Sequence, residues 1–470
     1  MVRFSRWIAC VGLLVSGTVM AFTKPPFPRA SVLAGGGAQN YEDPAMQQRF
    51  AKFAFSIWTI FPEWEGAHHY SYQQAVQNVH AANSNSMVFS YLIMMSSYPS
   101  SSGALAPLAA KLDAQRWWLY NNGTSGSPLA DAFPGQLAVN TTLFPAPDGN
   151  GDRYVTWYPK WAISTYINHS PAIDGFWTDG VLQRPAVDGD YNLDGVTDDV
   201  YQAAKWHRQG YKTYFNTLYA GMPGKYQLAN LADWGRPDTD LSDYQGMVNG
   251  GLIEGMIGQS WSVETWGGWQ QMMAWYRKTM TAVAEPKLVQ FHVMARVDDL
   301  QTIRYGLTSC LMDDGYFTFD IQGARPESPD TTAPWFDEYD ANLGYATSSP
   351  PTAEWQSGVY RRDFQNGIAL VNPKGNGTRQ VFLETDYVKL SGSQAPGVNN
   401  GQTVRSVTLQ DRDGIILRRV GAPQGGSGST NAGAVSSSSS SVAAATSSSS
   451  SSAAPSGGKV PAPPPTIAVQ

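Results

Sequence analysis

The chain has 470 residues, of which 42% are hydrophobic and 15% charged, with a formal net charge of −6. That length allows one large core plus a smaller one, and the acidic balance argues against nucleic acid or an anionic membrane as partner, since both select basic patches. Sixteen Trp and 23 Tyr supply flat apolar faces that serve equally for core packing and for stacking on sugar rings.

The N-terminus has the form of an export signal. Arg3 and Arg6 precede an apolar run over 7–19, and Val19-Met20-Ala21 is a small-x-small cleavage site, so the mature chain is expected to begin at Phe22, outside the cytoplasm. The run is too short for a membrane span. Cys10 leaves with the signal, and Cys310 alone excludes an internal disulfide or a cysteine-built zinc site.

Strand-like and helix-like segments then alternate. Strands are expected at 53–58, 87–94, 115–120, 173–178, 226–231, 251–253, 287–294 and 315–319, with helical stretches at 72–81, 161–167, 200–219, 241–248, 266–283 and 300–312. A Gly-, Pro-, Asn- and Asp-rich excursion runs from about 120 to 155. Eight strands separated by helices predict a (β/α)8 barrel over 22–350. An open doubly wound sheet is the alternative, but no glycine-rich phosphate fingerprint follows an early strand.

From about 359 short runs alternate with turn signals, among them the hairpin dipeptides Asn366-Gly367 and Asp413-Gly414. They predict a small antiparallel, β-sandwich-like domain over 351–423. Residues 424–470 are rich in Ser, Ala and Pro, with too little apolar bulk to fold, and read as a disordered linker or tail.

Two apolar strands end in an acid followed by Gly: Gly175-Phe-Trp-Thr-Asp179-Gly180 and Gly251-Leu-Ile-Glu254-Gly255. At the carboxyl ends of barrel strands, Asp179 and Glu254 would face one pocket. Two such carboxylates are the equipment for breaking a glycosidic bond. Glu254, set among Leu, Ile and Met, suits the proton donor, and Asp179 the nucleophile or base. Among other acids, Asp233 follows the fifth strand, and Glu338 and Asp340 follow the eighth, where they are placed to bind sugar hydroxyls. Glu63, Glu65 and Glu264 are weaker candidates, and Asp313 and Asp314 precede the eighth strand, at the wrong end. Trp58, Trp118, Trp177, Trp234, Trp261 and Trp266 fall at or past strand ends, where cleft lining competes with ordinary packing.

Asp190, Asn192, Asp194 and Asp198, with Gly195, follow the spacing of a calcium loop, but Tyr201 stands where a bidentate Glu is needed. A structural calcium competes with a solvated acidic turn, and the chemistry itself needs no cofactor. His68-His69 has no evident third ligand. No Gly-x-Ser-x-Gly elbow, His-Glu-x-x-His or Walker loop is present.

The runs Asp174-Gly-Phe-Trp-Thr-Asp179, Gly-Gly-Leu-Ile-Glu254-Gly, Trp335-Phe-Asp-Glu-Tyr-Asp340 and Gly358-Val-Tyr-Arg-Arg-Asp-Phe-Gln-Asn-Gly367 resemble the hypothetical glycosyl hydrolase family 15. The resemblance spans about 40–420. It implies a barrel with a C-terminal β domain and a glycoside hydrolase reaction, but no particular sugar. The reading is therefore a secreted glycoside hydrolase acting on a poly- or oligosaccharide. Its rivals are a non-catalytic carbohydrate binder and a cell-surface protein on a Ser-rich spacer.

Overall fold

The structure is a computed structural model that describes residues 22–34, 41–59, 71–99, 103–322 and 329–423. The signal-like segment, the Ser-rich tail, Glu63, Glu65 and the His68-His69 pair lie outside the described residues.

Eight parallel strands close into a barrel: β1 Ala30–Ala34, β2 Phe55–Trp58, β3 Met87–Ile93, β4 Gly175–Asp179, β5 Tyr226–Asn230, β6 Gly250–Ile257, β7 Leu288–Ala295 and β8 Tyr316–Ile321. β1 closes the ring by pairing with both β2 and β8. The membership differs from expectation at two places. β1, a five-residue Ala-Ser-Val-Leu-Ala run, was not anticipated. The expected strand at 115–120 is not in the barrel: helix Ala106–Gln115 runs into it, Arg116 turns with a left-handed φ of 55°, and Trp118 makes only an isolated antiparallel bridge to Val139. Residues 241–248 form turns and bends rather than a helix, and 161–167 is the end of helix Tyr154–Ala162 followed by a π turn.

Side-chain alternation decides what fills the barrel. Phe55, Phe89, Trp177, Leu228, Leu252, Leu288 and Tyr316 form one interior cluster, while Phe176, Val289, Phe291 and Phe317 point outward into the larger core shared with the helices. Ser31 and Thr318 hydroxyls meet at 2.5 Å inside, with Gln290 Nε2 donating to Thr318 at 3.1 Å. Carried upward with period two, the same parity brings Tyr91, Asp179, Asn230, Glu254, His292 and Asp320 inward near the carboxyl ends of their strands.

Strands β9 Tyr360–Phe364, β10 Gly367–Asn372, β11 Arg379–Lys389, β12 Thr403–Leu409 and β13 Asp413–Arg419 form one antiparallel sheet in the order β9-β10-β13-β11-β12. The β9–β10 hairpin turns one residue earlier than expected, at Gln365-Asn366, and Gly367 opens β10 opposite Phe364. Asp413-Gly414 opens β13, and the preceding Arg412 takes the left-handed conformation. The second layer is not another sheet. It is helix Leu300–Cys310 of the barrel, against which β13 packs so closely that a Cβ on Gly414 would lie 1.9 Å from Thr308 Oγ1. The ion pairs Arg304–Asp413 and Arg412–Glu264, each at 3.1 Å, tie the same seam.

Candidate active site

The two acids picked out from the sequence meet. Asn230, at the end of β5 between them, donates through Nδ2 to Asp179 Oδ1 at 3.0 Å and to Glu254 Oε2 at 2.9 Å. Its own Oδ1 accepts the Ala232 N–H at 3.1 Å, which fixes the amide with its two hydrogens toward the carboxylates. Oxygens held at 3.0 and 2.9 Å from one nitrogen stand no more than about 5.9 Å apart, and the wide angle between two amide hydrogens brings them to roughly 5 Å.

Asp179 is buried at the end of β4 and accepts two further hydrogen bonds: the Tyr91 hydroxyl at 2.5 Å on Oδ2 and the Gly180 N–H at 2.8 Å on Oδ1. Burial pushes its carboxyl above the usual range, and these donors, with Asn230, pull it back down. The Tyr91 phenol is held well above its ordinary value, first by burial and then by the charges of Asp179 and Glu254, so it stays a donor. Gly180 turns with φ 68° under Met95, where a Cβ would come within 2.3 Å of the sulfur.

Glu254 is equally buried, on a β6 bulge. Pairing with β7 jumps from Ile253↔Phe291 to Ile257↔Val293, so β6 spends two more residues than β7 there. Gly255, at φ 68°, allows the bulge, and its N–H donates to His292 Nδ1 at 3.2 Å. The Trp261 ring lies over Gly255, where a Cβ would come within 1.9 Å of it. Half-buried Trp261 therefore borders Glu254.

The remaining candidates are placed as follows. Trp177 is on the barrel floor two residues below Asp179, its ring stacked on Tyr91 at 5.4 Å. Trp58, Trp118 and Trp234 are fully buried and leave no face for a sugar. Trp58 packs on Tyr41, Phe50 and Tyr72 outside the barrel; Trp118 donates to Asp113; Trp234 stacks on Tyr244 and donates to the Val181 carbonyl. Glu338 accepts from Asn399 at 2.8 Å, at the seam with the β domain and away from the pair. Asp233 is buried beside the β4 loop: Oδ2 accepts the Gln183 N–H at 3.0 Å, Oδ1 has no hydrogen-bond partner among the described residues, and burial raises the carboxyl to about 6.

The acidic loop turns its oxygens toward its own backbone. Asp190 accepts from the N–H groups of Gly123, Asp194 and Gly195, Asp194 from Val196, and Asp198 from Tyr191 and Asn192. No group of three or more His, Cys, Asp or Glu among the described residues is arranged to hold a metal ion.

Asn230, Tyr91, His292 and Asp320 were not singled out from the sequence. Period-two parity through the strands would have found all four, once the barrel register was known.

A closed parallel barrel with two carboxylates joined by one amide at its catalytic face is built as a glycoside hydrolase. The family model described as hypothetical glycosyl hydrolase family 15 matches residues 80–368, and the chain belongs to that family. A search of curated proteins found no match. Among solved structures, the chain is similar to an α-amylase from Geobacillus thermoleovorans (11% identity, 83% of this chain and 98% of that one, TM-score 0.42). It is also similar to a cycloalternan-degrading enzyme from Trueperella pyogenes (12% identity, 84% and 60%, TM-score 0.45). A third is the glycoside hydrolase domain of PelA from Pseudomonas aeruginosa (12% identity, 63% and 95%, TM-score 0.37). No helix among the described residues is long and apolar enough to cross a membrane.

Proposed function

We propose that this glycoside hydrolase is exported and cleaves a poly- or oligosaccharide with retention of anomeric configuration, through Asp179 and Glu254. The Asn230 bridge carries the reading, because it sets the facing oxygens at roughly 5 Å. Retaining enzymes hold their carboxyl groups about 5–5.5 Å apart, whereas inverting ones leave about 6.5–9.5 Å for a water.

Asp179 is the nucleophile. Its hydrogen bonds from Tyr91, Asn230 and Gly180 suit a carboxylate and aim it. It bonds to the anomeric carbon as the glycosidic C–O bond breaks, and Glu254 gives its proton to the leaving oxygen. Glu254 then takes a proton from water, which displaces Asp179 and frees the sugar. Trp261 and Asp233 are the substrate contacts kept from the sequence, whereas Trp177, fully buried, supports the pair from below by stacking on Tyr91. Export rests on the leader over 1–21.

The test is reducing-sugar release from starch, dextran, mixed-linkage β-glucan, xylan, chitosan and polygalacturonate by native protein, Asp179→Asn and Glu254→Gln. Both variants should lose at least about a thousandfold on any substrate the native protein cleaves. Unchanged release by either would remove that residue from the chemistry.

A further inference from the structure

Between β3 and β4 the chain makes its longest excursion, and part of it returns beside Gly180, next to Asp179. Residues 96–97 pair antiparallel with 137–138. Val139 N–H donates to the Met95 carbonyl at 2.9 Å, and the Ser96 hydroxyl to Gln136 Oε1 at 2.6 Å. Met95 is the residue that covers Gly180, next to Asp179. A hairpin closed by Ala138 N–H to Leu129 carbonyl at 2.9 Å and Asp131 N–H to Gln136 carbonyl at 3.0 Å carries Asp131 at its tip.

Two side chains of this excursion, Tyr98 and Asp131, flank its turn at Gly135. Tyr98 is 41% exposed despite its size, and its ring lies 3.6 Å from where Gly135 would carry a Cβ. Asp131 spends Oδ1 on the Phe133 N–H at 3.1 Å, while no side chain among the described residues donates to Oδ2. Burial raises its carboxyl to about 6, and the charge of Asp179 adds to that rise.

We propose that this hairpin is one wall of the substrate cleft, with Tyr98 as a stacking platform for a sugar ring and Asp131 Oδ2 as an acceptor for a sugar hydroxyl beside the bond to be cleaved. The proposal rests on the assignment of Asp179 and Glu254 as the catalytic pair. An exposed tyrosine ring and a carboxylate on one loop that packs beside Asp179 through Met95 and Gly180 are the stacking and hydroxyl-binding groups a saccharide needs. Neither residue takes part in the bond changes. Their loss should therefore be felt in binding a longer chain more than in chemistry.

The experiment has two arms. In the first, Tyr98→Ala and Asp131→Asn are compared with native protein and Asp179→Asn on hexasaccharides of the panel polymer that the native protein cleaves fastest. Each wall variant should raise KM about tenfold or more while lowering kcat by less than about threefold. Native KM in both variants, with Asp179→Asn inactive, overturns the wall and leaves the catalytic pair standing. An active Asp179→Asn, or a native protein inert on the whole panel, overturns the pair and this inference with it. In the second arm, the Asp131 carboxyl is titrated by NMR in native protein and in Asp179→Asn. Removing the Asp179 charge should lower its midpoint; an unchanged midpoint would show that the hairpin does not sit over the pair.

Discussion

Asn230→Ala removes the side chain that hydrogen-bonds both Asp179 and Glu254, the proposed catalytic pair. The bond to Asp179, at 3.0 Å, has a charged acceptor and contributes about 1.5–3 kcal/mol, and the bond to the protonated Glu254 carboxyl, at 2.9 Å, contributes about 0.5–1.5 kcal/mol. The two are not additive, because water will enter the space, so a loss of about 2–4 kcal/mol in transition-state stabilisation is expected. That corresponds to a fall in kcat/KM of roughly 30- to 1000-fold. The pH profile gives a second readout. The Asp179 carboxyl already lies above its ordinary value because of burial, and Asn230 is one of the donors holding it down. Without that donor the carboxyl rises further, the ionised nucleophile appears only at higher pH, and the acid limb of kcat/KM moves up. Stability follows the same sign. A carboxyl whose folded pKa is raised binds its proton more tightly folded than unfolded. Its contribution is favourable below the unfolded value near 3.9 and is lost as pH climbs through the folded value. The Tm deficit of Asn230→Ala should therefore be larger at pH 7 than at pH 4. The assay is initial rates from pH 4 to 8 on the fastest panel substrate, with thermal unfolding alongside. A variant within threefold of native, with an unmoved acid limb, would refute the bridge as a positioning device.

Other consequences can be checked with single substitutions. Gly255→Ala puts a Cβ within 1.9 Å of the Trp261 ring at a φ of 68°, so it should destabilise by about 2–4 kcal/mol and disturb Glu254; thermal unfolding and rate should fall together. Arg304→Ala strands the buried Asp413 carboxylate at the seam with the β domain and should cost about 3–5 kcal/mol at neutral pH by denaturant unfolding. N-terminal sequencing of protein exported from a host with the intact leader should read from Phe22, and retention of Met1 on the exported protein would contradict the leader assignment.

Asp179 and Glu254 stood out because each closes an apolar run and is followed by Gly, a local pattern that needs no knowledge of the partner strand. Asn230 was not, since its meaning depends on being laterally between β4 and β6, which sequence order does not show. The barrel was legible as an alternation of periods, but its strands were not all separable from other apolar runs. Trp117 to Tyr120 has strand-like composition and is just as buried as a strand, yet it packs within the excursion. Ala30–Ala34 is short and poor in bulky residues, and its strand character comes from pairing with β2 and β8. Trp58 and Trp234 show the limit of reading function from tryptophan at strand ends. A large aromatic beside a barrel rim fills the space between strand and helix as readily as it lines a cleft.

The most direct test of the retaining pair is the anomeric configuration of the first-formed reducing end, followed by NMR before mutarotation. Facing oxygens held on one amide at 3.0 and 2.9 Å predict the configuration of the bond that was cut. The opposite anomer appearing first would mean that a water fits between the carboxylates, and would contradict the account.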